Sequence, residues 1–488
     1  MVARLVIAGT ASGVGKTTVT VGLACALRAR GLRVAVFKCG PDYLDPTYHA
    51  RAADAPCHNL DGWMMGREAV AATFARTTRD ADIALIEGVM GLYDGVSPTG
   101  DQGSTAELAR WLAAPVLLVC DAGGMARSIA ALARGFAAFD PALALAGVIA
   151  NRIGSRGHLD ILRQATAGDP PVLGGLPKQP ALAFPERHLG LRTADRASVP
   201  DAQLSAWGDQ VAEWLDLDAI LAIARRAGSL PAPDDGAPAG APAPAGAPAS
   251  AGPVSDAGVI PAAPARAAIH AAPPVRCRIG LAFDEAFHFY YDDNLRRLEQ
   301  LGAELVRFSP VHDVRLPDVD GLYLGGGYPE VHAEALAGNA TMRADVAAFA
   351  AARGPIYAEC GGLMYLANAI ETLDGRRHDM VGIIPGHAAM RDRLAALGYV
   401  EVETQDQTLL GGPGLRFRGH QFRYSELELT APVDHVFTLR RRRGGEVTKE
   451  GYRVGSALGS YVHAHWASNP LAARGLVTAC ADYAKGRR

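Results

Sequence analysis

Short, unbroken apolar runs separated by longer stretches of mixed character dominate the first half of the chain. Leu5-Val-Ile-Ala8, Val34-Ala-Val-Phe37, Ile83-Ala-Leu-Ile86, Pro115-Val-Leu-Leu-Val-Cys120 and Leu145-Ala-Gly-Val-Ile-Ala150 each read as a strand that is apolar on both faces. The segments between them, such as 103–113, read as helices. A strand without polar alternation has to be covered on both sides, so the pattern predicts a parallel sheet layered between helices. It recurs in Arg278-Ile-Gly-Leu-Ala-Phe283, Ala303-Glu-Leu-Val-Arg-Phe308, Gly321-Leu-Tyr-Leu324 and Gly354-Pro-Ile-Tyr-Ala358, after which the chain turns richer in strands. No repeat relates the two halves.

Residues 228–275 break both patterns: Ala, Pro and Gly dominate and lysine is absent. Such a segment cannot bury enough apolar area to offset its ordering entropy, and proline stiffens it locally, which describes a semi-extended linker. The expected organisation is therefore a first domain at 1–227, a linker at 228–275 and a second α/β domain at 276–488. A length of 488 residues, too great for one ordinary core, agrees with two domains.

With 48 basic and 51 acidic residues, no global field points toward nucleic acid or a membrane surface. The run Arg440 to Arg443, between strand-like His435-Val-Phe-Thr-Leu439 and Gly444-Gly445, reads as a solvated hairpin end, with contact to an acidic ligand as the alternative. Seven cysteines without a C-x-x-C pair argue against a zinc ribbon or a disulfide framework and for a reducing compartment. The N-terminus enters a strand without a signal-type leader, and no apolar stretch approaches the roughly 18 residues of a membrane span, so the expected location is the cytoplasm.

Two sets of residues carry chemistry. Gly9-Thr-Ala-Ser-Gly-Val-Gly-Lys-Thr-Thr18 follows a strand and opens a helix, the setting of a phosphate-cradling P-loop. A strict Walker loop has glycine at the place of Thr10, and here it is displaced to Gly9. Gly13 and Gly15 still let backbone N–H groups reach phosphate at the helix N-terminus. Lys16 would neutralise the β- and γ-phosphates of a nucleotide, Thr17 would offer its hydroxyl to Mg²⁺, and Thr18 completes the loop. Glu87, directly after an apolar strand, is the candidate carboxylate for Mg²⁺. Asp42, Asp45 and Asp61 are further candidates for metal or substrate, although Gly-Pro-Asp also reads as a plain turn.

The second set lies at Tyr357-Ala-Glu-Cys-Gly-Gly362, where Cys360 stands at the tip of a strand before helical-looking Leu363 to Ile370. A sharp strand-to-helix turn holds a nucleophile clear of its neighbours and aims N–H groups at it. Gly326, within Gly325-Gly-Gly327, and the amide of Gly361 are the candidate oxyanion donors. His463 and His465 are the candidate bases, and in a strand they share one face, so spacing alone does not separate them. As a metal pair they lack a third ligand, and a purely structural Cys360 is the remaining alternative.

The displaced-glycine loop resembles that of the dethiobiotin-synthetase-like ATPases, and the elbow at Cys360 resembles the class I glutamine amidotransferases. Their fusion, together with Lys38-Cys-Gly-Pro-Asp-Tyr-Leu-Asp-Pro46, Glu87-Gly-Val-Met-Gly-Leu-Tyr-Asp-Gly95, Asp284-Glu-Ala-Phe-His-Phe-Tyr-Tyr291 and Gly325 to Glu330, resembles the cobyrinic or hydrogenobyrinic acid a,c-diamide synthases of cobalamin biosynthesis. The resemblance implies a P-loop amidoligase domain followed by an amidotransferase domain. It implies ATP-dependent amidation of the a- and c-acetate carboxylates of a corrin ring through an acyl phosphate, with ammonia released from glutamine at Cys360. It implies Mg²⁺ beside ATP, and as partners a corrinoid tetrapyrrole, ATP and L-glutamine, with neither nucleic acid nor membrane; the sequence is compatible with a homodimer and leaves the oligomeric state open. By family position His463 activates Cys360, and His465 stands where many relatives carry glutamate. Asp42 and Tyr43 fall near phosphate and substrate, and Asp61 matches a metal-binding aspartate. Gln421 and Arg423 depart from the expected glutamate and histidine and receive no role. Nickel-sirohydrochlorin a,c-diamide synthase and cobyric acid synthase are the alternatives among enzymes. A P-loop switch protein is the alternative outside them, disfavoured by the elbow and Gly325-Gly-Gly327.

Overall fold

The computed structural model describes residues 2–168, 170–179, 184, 186–187, 190–191, 194, 198–230, 277–442 and 444–487. The first domain is built on seven parallel strands in the order Cys57–Leu60, Val34–Cys39, Ile83–Glu87, Ala3–Gly9, Val116–Asp121, Leu145–Ile153, Val172–Pro177. Successive side chains of a strand point to opposite faces, and both faces here are apolar. Leu5, Ile7, Val36 and Leu85 join one core with helices Lys16–Ala29, Asp45–Ala53 and Asp201–Trp214. Val6, Ala8, Phe37 and Ile86 join the other, with Gly62–Thr77 and Thr105–Trp111. The expected linker 228–275 lies outside the described residues apart from 228–230, where the Arg4 guanidinium donates to the Gly228 carbonyl oxygen.

The second domain carries a ten-stranded mixed sheet. Ala303–Phe308, Cys277–Ala282, Gly321–Leu324, Ile356–Glu359 and Ala457–Ser460 are parallel, and Val447–Val454, Asp434–Arg441, Ala396–Thr404, Arg416–Arg423 and His463–His465 continue it antiparallel. Asp434–Arg441 and Val447–Val454 form the expected hairpin, with Arg440 and Arg441 at its end and Arg443 outside the described residues. The helix expected to run to Ile370 stops at Leu366. Ala367–Glu371 is a strand instead, because it pairs with Ile384–Met390 and Arg377–Asp379 in a separate sheet, and that pairing outweighs local helical preference.

The two domains dock through polar and aromatic contacts. Arg418 Nη1 donates to the Trp63 carbonyl at 2.8 Å and its guanidinium lies 4.8 Å from the Trp63 ring centre. Trp63 in turn packs on Tyr399, 4.8 Å between centroids. Among the described residues no helix is long and apolar enough to cross a membrane.

Candidate functional site

The nucleotide loop forms where strand Ala3–Gly9 turns into helix Lys16–Ala29. Gly15, just before the helix, has φ 97°, and a Cβ there would lie 2.0 Å from Asn151 Nδ2. The same Asn151 amide donates to the Val14 carbonyl at 2.8 Å, so the loop is pinned from a neighbouring strand. Lys16 Nζ donates to Met90 O at 2.6 Å and to Ala11 O at 3.1 Å, and Thr18 sits half-buried in the first helical turn. Burial and the nearby Lys38 lower the affinity of Lys16 for its proton.

Thr17 Oγ1 donates to Glu87 Oε1 at 2.9 Å. Glu87 ends strand Ile83–Glu87, fully buried, beside Ile7 and Lys38 in the sheet register. Lys38 Nζ donates to Glu87 Oε1 at 2.7 Å and to Asp45 Oδ2 at 2.6 Å, and His49 Nε2 lies 2.6 Å from Glu87 Oε2. Burial alone would raise the Glu87 carboxyl, but Lys38 and His49 outweigh it and hold the group well below the usual carboxylate range. Likewise burial would lower Lys38, and Glu87 with Asp45 hold it well above the usual range. Sequence reasoning did not assign Lys38 or His49. A lysine continuing the apolar run Val34 to Phe37 is the signal that would have found the first.

Hydroxyl and carboxylate oxygens are hard donors, and Mg²⁺ takes one or two protein oxygens alongside phosphate and water, so Thr17 and Glu87 fit that ion. Asp61 is engaged otherwise. It caps helix Gly62–Thr77, accepting from Met64 N–H at 2.7 Å, and its other oxygen accepts the Tyr399 hydroxyl of the second domain at 2.7 Å. Asp42 Oδ1 accepts from the amides of Leu44 (2.7 Å) and Asp45 (3.2 Å) at the entry to helix Asp45–Ala53. Tyr43 crosses to the second domain, stacked on Phe289 at 5.0 Å and packed 5.1 Å from His463.

At the thiol site, strand Ile356–Glu359 ends, Cys360 takes φ 48° and ψ −101°, and helix Gly361–Leu366 begins. A non-glycine residue in such a conformation stores about 1–3 kcal/mol. The Cys360 N–H donates to Ser460 O at 2.7 Å, which ties the elbow to the chain that carries the histidines. Glycine is required around it: a Cβ on Gly361 would lie 2.9 Å from Pro329 Cδ, and one on Gly326 only 2.3 Å from His463 Cε1. Gly326 thus lies against His463, and Gly361, next to Cys360, lies against Pro329 and Gly327, while the Cys360 sulfur is 4.0 Å from the Phe422 carbonyl oxygen.

The segment Ser460 to His465 is not one strand. Ala457–Ser460 pairs with Ile356–Glu359, Tyr461 and Val462 cross over, and His463–His465 pairs with Arg416–Arg423, with His463 opposite His420. Two buried carboxylates hold the crossing. Glu450 accepts from Tyr461 N–H and Ser460 Oγ, both at 2.6 Å, and Glu359 accepts from Ala464 N–H at 3.0 Å and from the hydroxyls of Tyr323 and Tyr357 at 2.9 Å. The histidines part company: His463 lies against Gly326 and Tyr43, whereas His465 packs on Tyr291 at 4.7 Å. Sequence reasoning missed Glu359 and Glu450, whose partners, backbone N–H groups and hydroxyls, lie far from them in the chain or carry no local pattern.

Burial, with Glu330, pushes the Cys360 thiol up to about 12, against the pull of Arg423 and the Gly361 N–H. Burial, with His420, takes His463 down to about 3. Both groups are therefore neutral in this state. Arg423 lies 4.4 Å over the Tyr461 ring and is the cation that eases Cys360 ionisation.

Two family models divide the chain: the CobQ/CobB/MinD/ParA nucleotide binding domain matches residues 5–191, and the CobB/CobQ-like glutamine amidotransferase domain matches residues 278–471. The chain is 49% identical over 479 residues to the cobyrinate a,c-diamide synthase of Leptospira interrogans serogroup Icterohaemorrhagiae serovar copenhageni, covering 98% of each chain. It is 50% identical over 484 residues to the enzyme of that name from Syntrophotalea carbinolica, again covering 98% of each. With that of Dehalococcoides mccartyi strain 195 it shares 42% identity over 480 residues, 97% of each chain.

Proposed function

The chain belongs to the cobyrinate a,c-diamide synthase family, and from that premise we propose the following division of labour between its two sites. It is an amide-forming ligase of cobalamin biosynthesis that takes ATP and glutamine and converts the a- and c-acetate carboxylates of cobyrinate to amides. Identity at this level over nearly the full length, spanning both sites, is the observation that carries the assignment.

A carboxylate is a poor electrophile because its leaving group would be oxide. Transfer of the γ-phosphoryl group of ATP to the carboxylate oxygen replaces that leaving group with phosphate. Backbone N–H groups at Gly13 and Gly15, with Lys16, Thr17 and Thr18, hold the nucleotide, and Asp42 and Tyr43 contact the acceptor. Thr17 and Glu87 would hold Mg²⁺, which supplies neutralisation of phosphate charge when bound. We assign Asp61 to docking rather than to metal, since one of its oxygens caps helix Gly62–Thr77 and the other accepts the Tyr399 hydroxyl of the second domain, whereas Glu87 takes the hydroxyl of Thr17 in the loop itself.

In the second domain the Cys360 sulfur attacks the side-chain amide carbon of glutamine. Its proton passes to His463, which is neutral at rest and so able to accept it, and then to the departing nitrogen, releasing ammonia and leaving a thioester. The N–H groups of Gly326 and Gly361 stabilise the oxyanion, and water hydrolyses the thioester to glutamate. Ammonia then attacks the acyl phosphate and expels phosphate.

Incubation with ATP, Mg²⁺ and glutamine against cobyrinate, hydrogenobyrinate and nickel-sirohydrochlorin in parallel, read by mass spectrometry, tests this assignment. A diamide from cobyrinate is expected. Amidation of another ring alone would reassign the substrate, and no amidation despite active glutaminase and ATPase would overturn the acceptor.

A further inference from the structure

His463 Nδ1 is buried without a hydrogen-bond partner among the described residues, so no side chain fixes this ring the way a triad carboxylate would. The ring packs on Tyr43 at 5.1 Å and against Gly326, and the rest of its positioning comes through the backbone, part of which is supported from the domain boundary. Asn294, fully buried in the first turn of helix Asp292–Gln300, donates from Nδ2 to Ala464 O at 2.7 Å and accepts the Trp466 N–H at Oδ1 at 2.8 Å. It grips the chain directly after His463. A side-chain amide offers a donor and an acceptor side by side, matched to a carbonyl and an N–H, whereas aspartate would present two acceptors, one of them to a carbonyl.

The two residues before Asn294 face the first domain. Asp293, 4% exposed, accepts from Thr73 Oγ1 at 3.4 Å, and the same oxygen lies 3.6 Å from Arg76 Nη2. Asp292 Oδ2 lies 3.1 Å from His58 Nδ1. Arg296 and Arg297 of the same helix also hold Asp293, at 3.0 and 2.6 Å, so the carboxylate is fixed rather than mobile. One helical turn therefore carries both a docking contact to the P-loop domain and a clamp on the histidine strand.

We propose that Asn294 is a positioning residue for His463, and that docking of Asp292 and Asp293 on His58, Thr73 and Arg76 sets the clamp, so that glutamine hydrolysis is fastest when the two domains are engaged. This builds on the assignment of His463 as the base. The physical lever is geometric: a displacement of about 1 Å in a catalytic group costs about 100-fold in rate.

The test uses the full chain, with glutamine hydrolysis and ammonia-dependent amidation measured in parallel. Asn294→Ala lowers kcat for glutamine hydrolysis about 10- to 100-fold with KM nearly unchanged, while ammonia-dependent amidation stays at the wild-type rate. Arg76→Ala, in the other domain, lowers the same kcat about 3- to 30-fold. The double variant is no slower than Asn294→Ala, because Arg76 acts only through the clamp. Independent, multiplicative effects, or an Arg76→Ala protein with wild-type hydrolysis, would overturn the coupling. That variant changes a half-buried arm, so it decides the coupling even if Asn294→Ala does not fold. A kcat unaltered by Asn294→Ala would overturn the positioning role. Wild-type protein that hydrolyses no glutamine would refute the glutaminase assignment itself, a result distinct from normal hydrolysis with inert variants.

Discussion

The P-loop and the thiol elbow share one local device, a parallel strand that turns sharply into a helix, but they use its unusual backbone in opposite ways. In the first, Gly15 at φ 97° removes a side chain so that N–H groups stay open to phosphate. In the second, Cys360 at φ 48° keeps its side chain and stores strain to hold the sulfur out of the sheet. Their electrostatics differ in the same sense. Lys38 and Glu87 are buried yet charged, because each compensates the other. Cys360 and His463 are buried and neutral, because neither finds a strong counter-charge. A site that receives a polyanion is built charged in advance.

The sharpest way to separate the two sites is Cys360→Ala, which should reduce glutamine-dependent amidation by about 1000-fold or more while leaving the ammonia-dependent rate intact. Both rates falling together would mean that the sites are not chemically divided. Lys16→Ala should reduce amidation from either nitrogen source by about 100- to 1000-fold, and turnover retained with ammonia would remove Lys16 from phosphate binding. Glu87→Gln leaves Lys38 without its main counter-charge and should destabilise the first domain by about 3–5 kcal/mol, read as a lowered urea midpoint. A wild-type midpoint would show that the pair is not held charged.

The neutral histidines give the second domain its own pH dependence. His420, His463 and His465 are taken by burial to about 4, 3 and 4, from 6.5 in the unfolded chain. Over that interval these three histidines bind more protons in the unfolded chain than in the folded one. Glu359, raised by burial to about 7, and Glu450, also raised by burial, act in the opposite sense but are outnumbered, so stability falls as pH falls from about 6.5 toward 4. Thermal unfolding should come lower at pH 5 than at pH 7, and His465→Asn should flatten the difference. The smallest effect concerns the elbow: Cys360→Gly relieves the positive φ and should raise stability by about 1 kcal/mol while abolishing glutaminase activity. A destabilised glycine variant would mean that the sulfur's packing outweighs the strain.

What the sequence disclosed follows from range. The first sheet was legible because each strand is apolar on both faces, a property of its own residues, and the P-loop because its glycines and lysine are contiguous. The elbow was legible in Glu359-Cys-Gly-Gly362 for the same reason. Ala367–Glu371 was misread as helix because its strand character comes from partners at 377–379 and 384–390. Glu359, Glu450 and Asn294 gave no signal because their partners are brought to them by the fold, Ala464 to Glu359 from 105 positions away and to Asn294 from 170. Asp61 and Tyr43 were picked out as ligand residues, and their contacts with Tyr399 and His463 across the domain boundary follow from a docking that no local pattern encodes.

The most direct test of two sites joined by one ammonia is an isotope experiment on cobyrinate with ATP, Mg²⁺ and glutamine labelled with ¹⁵N in its side-chain amide. A diamide with both new nitrogens labelled is expected from the wild-type protein, and from Cys360→Ala a diamide only when ammonium is supplied. Labelled diamide from Cys360→Ala with glutamine alone, or unlabelled diamide from the wild-type protein, would contradict it.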